Sequence, residues 1–486
     1  MEYATLFIRH VRTLKENLKS DGAKGSDSNL LGDKNKFNDG LYSLQLLIGE
    51  REKEKPAYWQ RAWIIQEIAS AKTLILQSGS YIISEEDIEL VRESVSSSKG
   101  ALLMDGRYEQ RKLRSHFRLD SFVPVSIYRS LIPSSSEDPK ECTARARGPL
   151  KLLTLLRHNR SRFCSDMRDK VYSILSISDL ATSSHPGLSI SYDRPVSEVY
   201  IGAVQAIIQS SSMLEVLCSA NLAETTAPPH LPSWVPNWSI YKSPDRCDRP
   251  ISYKHQKATG TMLAKVKFWR EKTTHILSAT GFCFGSIFGL NDPFVHFDVE
   301  KEKENDSLSQ LTNYASLYRQ LSQAYREMAS ILYPKPLPRD LFRHTCSLGL
   351  LRYDLDDSFQ SLMENLELRL DSDQIPERPT QFSGNRFRYK TMAFSINDQC
   401  MFAIQPNPLM ESTRLADGII GIAPAGVVRS GDVLCLLLGC SAPLILRPFG
   451  NRYLVVCAAY VDTLMDGSAM NYVDDGLFEL ATFDLE

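Results

Sequence analysis

The residues whose types and spacing best suit chemistry lie in one short segment, YWQRAWIIQE, at 58–67. At 100° per residue its tryptophans share one face of a helix and its isoleucines cover the opposite one, so the helix is expected to be buried. An unpaired charge in such a place is costly, so the charged side chains should be paired and hydrogen-bonded. The aromatic and polar candidates of this twin-tryptophan helix are Trp59, Arg61, Trp63, Gln66 and Glu67.

Glu67 is the side chain in this segment that could act as a catalytic or ligand-binding group, and three interpretations of it stay open. In the first, the carboxylate belongs to a structural ion pair that fixes how the helix docks. In the second, it lies in a polar pocket and binds or activates a ligand, because functional sites are where acids and bases are perturbed. In the third, the helix is half exposed and the glutamate is merely solvated.

Candidate partners for these charges lie in a second segment, CSDMRDKVY, at 164–172. Asp166 is expected to cap a helix that begins near Met167, because a carboxylate can accept the unpaired N–H groups of a first turn. Helical spacing places Arg168 on the side opposite Asp166. The pairs that we predict are Arg168 with Glu67, and Arg61 with Asp166 or Asp169.

A basic run surrounds this second segment, with eight Lys and Arg against two Asp between Arg145 and Lys170. Such a run could bind phosphate or nucleic acid, but aromatic interleaving is limited to Phe163. The pattern favours a basic face that is solvated or paired internally. Nucleic acid is therefore not the partner that the sequence predicts.

No familiar catalytic or metal-binding motif occurs elsewhere in the chain. The glycines at 418, 421 and 426 have the spacing of neither a dinucleotide-binding nor a phosphate-binding loop. The GCSAP segment at 439–443 resembles a nucleophile elbow until its last position, where proline replaces the required glycine. The nine histidines never pair at zinc-ligand spacing with each other or with cysteines. The sequence predicts no metal and no cofactor, and it favours a protein without enzymatic activity.

The composition is that of an ordinary globular protein of 486 residues with a net charge of −2, long enough for about three domains. The N-terminus does not read as a secretory signal, so the ten scattered cysteines should be reduced, and we expect a cytoplasmic protein. The longest uncharged stretch, Val433–Leu446, has 14 residues, short of the roughly 20 that a membrane span needs. Buried strands explain it, and no membrane partner is expected.

Local patterns predict several elements, through helical or alternating periodicity and through turn and capping residues. They are a strand pair at 73–77 and 81–83, a helix cap at Ser84 and Asp87, helices after Pro195 and over 307–332, and strands at 432–438, 443–447 and 453–462 with a hairpin turn at 449–452.

Five segments of the chain, taken in order, resemble blocks of the fungal heterokaryon-incompatibility (HET) family. YWQRAWIIQE is similar to the block that closes its signature domain, and RFCSDMRDKVYSILSI to the Arg-x-Cys-Ser-Asp-x-Arg-Asp-x-Val-Tyr block that follows. Later blocks are matched by YDRPVSEVYIGAVQAII, by LPSWVPNWS and by the segment that runs from GDVLCLLLGC to VDTLMDG. Five ordered matches are far more specific than any one of them.

The chain departs from the family pattern at its start. Family members usually begin with a Leu-Ser-Tyr-x-Trp-Gly strand and loop and then a Trp-x-Asp-x-x-Cys-Ile-Asn-Gln block, and neither is present. We therefore expect a partial HET domain without its first strands, either because the gene model is truncated or because the chain is a degenerate relative.

These observations together predict an α+β chain. Its N-terminal two-thirds is expected to be mostly helical, as the remnant of an α/β HET domain plus helices, and its C-terminus to be a small antiparallel β unit. The predicted domains are a partial HET domain with following helices at 1–180, a mixed and largely helical region at 181–371, and an antiparallel β domain at 372–486.

The resemblance implies a role in non-self recognition between fungal strains and in the programmed cell death that follows incompatible fusion. The first hypothesis is a non-enzymatic interaction module whose partner is another protein. The HET domain has been likened to Toll/interleukin-receptor domains, some of which cleave NAD with a helical glutamate. A NAD-cleaving enzyme with Glu67 as the catalytic acid is therefore the second hypothesis, and a basic-patch binder of nucleic acid is the third.

Overall fold

The computed structural model describes residues 61–71, 75–78, 81–84, 151–225, 230–242, 257–292, 323–328, 398–404 and 418–486, together with residues 73, 87, 294, 320, 330 and 332. The chain divides into two compact units, Met1–Ser183 and Ser184–Glu486. The three-domain division that the sequence suggested stays a prediction.

The described part of the first unit consists of short helices and one strand pair. These are α1 (Ile64–Ser70), β1 (Ile75–Ser78), β2 (Tyr81–Ser84), α2 (Leu152–Asn159) and α3 (Asp169–Leu175). β1 and β2 pair antiparallel, which confirms the predicted strand pair. The predicted cap is also present: the Ser84 hydroxyl accepts the Asp87 N–H (3.3 Å), and the Asp87 carboxylate accepts the Ser84 N–H (3.1 Å).

The helical part of the second unit is built around the predicted amphipathic helix. It comprises a 3-10 helix (Pro186–Leu188), α4 (Val196–Ser211), a second 3-10 helix (Glu215–Ser219) and α5 (Leu222–Thr225). α4 buries the apolar positions that repeat at helical spacing along it. Residues 323–328 are also helical and lie within the predicted helix at 307–332.

Eight strands of the second unit form one sheet. They are β3 (Val266–Glu271), β4 (Thr274–Leu290), β5 (Gln399–Ile404), β6 (Ile419–Pro424), β7 (Val433–Leu437), β8 (Leu444–Phe449), β9 (Arg452–Ala458) and β10 (Ala481–Leu485), with α6 (Asn471–Asp474) before the last strand. Their order is β10-β9-β8-β7-β4-β5-β6, and β3 pairs with the first half of β4. The predicted hairpin turn joins β8 to β9, with Gly450 in the left-handed region at φ 61°.

The sheet closes on itself because β10 pairs with β9 on one side and with β4 on the other. β4, β7, β8, β9 and β10 therefore form a ring. Phe282 and Phe284 of β4 belong to a buried cluster that also contains residues of β5 and β6, which are not ring strands, and both contact Phe478, so these two side chains face outward. Since side chains alternate along a strand, Cys283 faces the inside of the ring.

The predicted fold class is wrong. Of the described residues, 31% are helical and 29% lie in strands, so the chain is not mostly helical. The sheet is also larger than the small antiparallel unit expected, and it is mixed, since β9 and β10 pair parallel. The error arises at β3 and β4, which lie in the region predicted to be largely helical. β3 pairs with its neighbour β4, but β4 also pairs with β5, β7 and β10, which lie far away in the sequence, and such distant pairing leaves no local signal.

Candidate functional site

The two segments selected for their chemistry are neighbours in the first unit. Arg61 and Phe163 form an isolated parallel β-bridge, in which the Ala62 N–H donates to the Phe163 carbonyl (2.8 Å). After this bridge, α1 packs against α3. The twin-tryptophan segment therefore lies directly beside the segment that begins at Cys164.

α1 is buried on its isoleucine face rather than all round. In residues 61–70 the buried residues are Ala62, Ile64, Ile65, Ile68 and Ala69, the half-buried ones are Trp63 and Gln66, and the exposed ones are Arg61, Glu67 and Ser70. Trp59 lies outside the described residues. The side chain proposed for catalysis, Glu67, is thus on the exposed side of its helix.

Arg168 forms an ion pair with Asp166, although helical spacing placed the two on opposite sides. Arg168 Nε donates to Asp166 Oδ1 (2.9 Å) and Arg168 Nη2 to Asp166 Oδ2 (2.6 Å). Asp166 also accepts the Arg168 N–H (2.9 Å), and α3 begins only at Asp169. The spacing argument failed because Asp166 precedes the helix, where 100° per residue does not apply. The other predicted pairs, Arg168 with Glu67 and Arg61 with Asp166 or Asp169, stay predictions.

The ion pair has an electrostatic consequence for the carboxylate. The hydrogen bonds from Arg168 lower the pKa of Asp166 below its ordinary value of 3.8, because they favour the charged form. Asp166 is therefore an anion at neutral pH, already bound to its cation.

Lys170, which the sequence did not single out, lies at a polar centre between α2 and α3. It is only 3% exposed. Its ammonium donates to the carbonyls of Asn159 (3.3 Å), Arg160 (3.1 Å) and Arg162. These carbonyls lie at and just beyond the end of α2, where a helix leaves C=O groups unpaired and carries partial negative charge. Three N–H donors meet three carbonyls, so the ammonium is committed to the backbone.

Asn159 completes this centre from the other helix. Its Nδ2 donates to the Lys170 carbonyl (2.7 Å) and to the Ser173 hydroxyl (3.2 Å). α2 and α3 are therefore joined reciprocally, with each side chain bound to the other residue's backbone. One signal could have revealed this role: Leu152 and Leu156 precede Asn159 at helical spacing, which places an amide on an apolar face.

Cys164 lies beside this centre and is half-buried. Burial raises its pKa above the ordinary value of 9.0, although the charge of Lys170 acts in the opposite direction. The side chain is therefore a protonated thiol at neutral pH and not a nucleophilic thiolate.

The part of the basic run that the structure describes, residues 151–170, does not form a continuous cationic surface. Arg160, Arg162 and Lys170 are all buried. A phosphate-binding face needs exposed basic side chains that can reach the backbone of a nucleic acid. Three of the eight basic residues in this run are thus removed from any such contact.

The arrangement is suited to holding helices together rather than to catalysis. Its lysine and Asp166 are bound within the protein, and its cysteine is protonated. In the ranges that the structure describes, no group of three or more His, Cys, Asp or Glu side chains is placed to hold a metal ion. The glycine at 421, considered above as part of a phosphate loop, lies within β6.

Comparison with known protein families, with curated proteins and with solved structures finds no match for this chain. Among the helices described, none has both the length and the apolar character needed to cross a membrane. The resemblance to the HET family therefore depends on its five sequence segments alone.

Proposed function

We propose that this chain is a HET-type interaction module that acts in the cytoplasm of a filamentous fungus, recognises another protein and signals cell death. The main support is that the segments that resemble the family contact one another within each unit. In the first unit, the Arg61–Phe163 bridge joins the first segment to the second. Chance matches of short segments would have no reason to meet in this way.

The later segments meet in the second unit. Tyr200 of the third segment packs edge to face on Trp238 of the fourth, with ring centroids 5.1 Å apart, and its hydroxyl lies 3.0 Å from the Ser239 hydroxyl. Ser233 of the fourth segment accepts the N–H of Val455 of the fifth (2.9 Å). The residues behind the resemblance thus serve as internal contacts of the fold, as expected for a scaffold that presents a binding surface.

The NAD-cleaving hypothesis has less support. A glutamate that acts on NAD needs a pocket that excludes water and positions the nicotinamide ribosyl bond. Glu67 is exposed, and its helix buries only the opposite face. We therefore favour recognition of a protein over turnover of a small molecule.

Inducible expression of the full chain in a panel of filamentous fungal strains tests the proposal. We expect uptake of a membrane-impermeant dye and growth arrest in those strains that supply the partner, and unchanged killing by Glu67→Gln. This substitution removes the charge of an exposed side chain while keeping its size, so it should leave the fold intact.

Two outcomes contradict the proposal. Full viability in every strain, despite normal accumulation of the protein, would exclude a cell-death function in these hosts. A fall in cellular NAD that precedes death and is abolished by Glu67→Gln would establish the enzyme instead.

A further inference from the structure

Two cysteines face each other across the centre of the sheet. Cys283 of β4 is the direct partner of Cys435 of β7 in their antiparallel register. Both thiols are reduced in this structure. Directly opposite residues of an antiparallel pair project to the same face of the sheet, so the two side chains lie side by side inside the ring.

The hydrogen bonds between β4 and β7 show whether Cys283 and Cys435 form a hydrogen-bonded or a non-hydrogen-bonded pair of the antiparallel ladder. The Leu438 N–H donates to the Thr280 carbonyl (2.9 Å), so these two residues form a hydrogen-bonded pair. Hydrogen-bonded and non-hydrogen-bonded pairs alternate along an antiparallel ladder, which makes Cys283 and Cys435 a non-hydrogen-bonded pair. In such pairs the Cα atoms are about 4.5 Å apart. That separation is within the range of roughly 4.4–6.8 Å that a disulfide spans.

The two thiols differ in access. Cys283 is partly exposed, whereas Cys435 is fully buried. A β-bulge lies directly after Cys283, at the register shift between Cys283 and Gly285. The bulge interrupts the regular ladder on one side of the cysteine pair, so β4 can adjust there when the sulfur atoms approach.

We propose that Cys283 and Cys435 form a reversible redox pair, in which a hydroperoxide oxidises the accessible Cys283 and Cys435 resolves it to a cross-strand disulfide. The thiol–thiol hydrogen bond supports this order of events. It lowers the pKa of Cys283, because Cys435 donates to the charged form, while burial raises the pKa of Cys435.

The chemistry balances with hydrogen peroxide as the oxidant. The Cys283 thiolate attacks one peroxide oxygen, the O–O bond breaks, and the departing hydroxide takes up a proton as the first water; Cys283 becomes a sulfenic acid. The Cys435 sulfur then attacks the Cys283 sulfur and loses its proton, and the sulfenic hydroxyl leaves as the second water. Two electrons pass from the two thiols to one peroxide molecule.

A second thiol pair in the same unit provides an internal comparison. Cys218 and Cys440 are close enough to share a hydrogen bond that helps to raise the pKa of Cys440, but both are buried. Cys440 is completely buried and Cys218 is only 9% exposed, so a peroxide reaches this pair less readily than it reaches Cys283. This pair should therefore stay reduced while the other oxidises.

The test uses the reduced full-length chain and one equivalent of hydrogen peroxide. The reaction is quenched in acid, remaining thiols are alkylated in denaturant, and peptides are mapped by mass spectrometry without reductant. We expect a linked peptide pair that contains Cys283 and Cys435 and disappears on treatment with dithiothreitol. Because this link closes a long loop, the melting temperature of the oxidised protein should rise by about 5 °C or more.

Two variants sharpen the test. In Cys435→Ala, Cys283 should stop at the sulfenic acid, which dimedone traps; in Cys440→Ala, which removes a different buried thiol, the link should form as in the wild type. The proposal is overturned if wild-type Cys283 and Cys435 are both recovered alkylated while other cysteines are oxidised. It is equally overturned if dimedone traps wild-type Cys283 as fully as it does in Cys435→Ala. The wild-type peptide map decides the matter even if Cys435→Ala fails to fold.

Discussion

At the scale of single residues, the buried charges of Lys170 and Asp432 are both bound within the protein. Lys170 binds three carbonyls in the first unit. In the second unit Arg447 binds both carboxylate oxygens of buried Asp432 (2.8 and 2.9 Å) and the Val427 carbonyl (2.7 Å), and the hydrogen bonds to Asp432 raise the pKa of Arg447. A buried ion is tolerated only when it is hydrogen-bonded in this way, so these side chains position the backbone.

Replacing Lys170 tests this positional role. Lys170→Met keeps the unbranched apolar stem of the side chain but leaves three buried carbonyls without their donor, and we expect a loss of about 2–4 kcal/mol in local stability. Hydrogen–deuterium exchange of peptides that cover α2 and α3 measures this loss. Lys151→Met, at an exposed position before α2, is the control and should change exchange by less than about 0.5 kcal/mol. Equal exchange in the two variants would show that the ammonium contributes nothing there.

At the scale of elements, α4 docks through a contact that only glycine permits. A Cβ on Gly202 would lie 2.5 Å from the Gly187 carbonyl oxygen and 2.6 Å from its Cα. Arg194 secures the same contact, since Nη1 donates to the Gly187 carbonyl (3.0 Å) and Nη2 to the Glu198 carbonyl (3.1 Å). The helix and the 3-10 turn before it therefore pack backbone to backbone.

Gly202→Ala separates packing from helix propensity. Alanine favours a helix over glycine by about 1 kcal/mol, yet here its methyl group must displace backbone, and we expect a net destabilisation of roughly 1–3 kcal/mol. The shift of the urea midpoint of the second unit measures it. Gln205→Ala, a half-exposed position on the same helix, should be nearly neutral. A Gly202→Ala variant more stable than the wild type would mean that α4 does not sit so close to Gly187.

At the scale of the whole molecule, the core of the second unit buries several of its cysteines. Burial raises the pKa of Cys400 to about 11, and it raises those of Cys440 and Cys457 well above their ordinary value of 9.0. The folded chain keeps these protons at pH values where the unfolded chain has lost them. The unfolded state thus binds fewer protons above pH 9, and the stability of the folded state must fall as pH rises.

The alkaline slope has a specific contribution from Cys400. Between pH 9 and pH 11 its retained proton should reduce the free energy of unfolding by about 1.4 kcal/mol per pH unit, or about 3 kcal/mol in total. Urea unfolding of wild type and Cys400→Ala over pH 7–11 checks this. The cavity in the variant should lower its free energy of unfolding by the same amount at every pH. Above pH 9, however, the free energy of unfolding should fall less steeply in the variant than in the wild type. Parallel curves for the two proteins would contradict the assignment.

Much of the local structure could be predicted from the sequence, but the composition of the polar site could not. The Arg61–Phe163 bridge places the twin-tryptophan segment beside the segment that begins at Cys164, but the side-chain pairs predicted between the two stay predictions. The roles of the side chains in these two segments were only partly predicted. The sequence did not predict the ion pair between Arg168 and Asp166 or the binding of Lys170 to backbone carbonyls. The sequence does not indicate which backbone carbonyls a lysine will bind, because every residue has a backbone carbonyl.

The sequence by itself determined the features that are specified by residues close together in the chain. These features are the amphipathic helix α4, the Ser84–Asp87 cap, and the hairpin at Gly450 with its flanking strands. Their signals are periodicity, a side chain within reach of a nearby N–H, and a glycine at positive φ. Only the tertiary structure decided that β4 pairs with β7 and β10, that the ring closes, and that Cys283 meets Cys435. The physical reason is that backbone pairing and burial join positions far apart in the chain, and no local pattern identifies the partner.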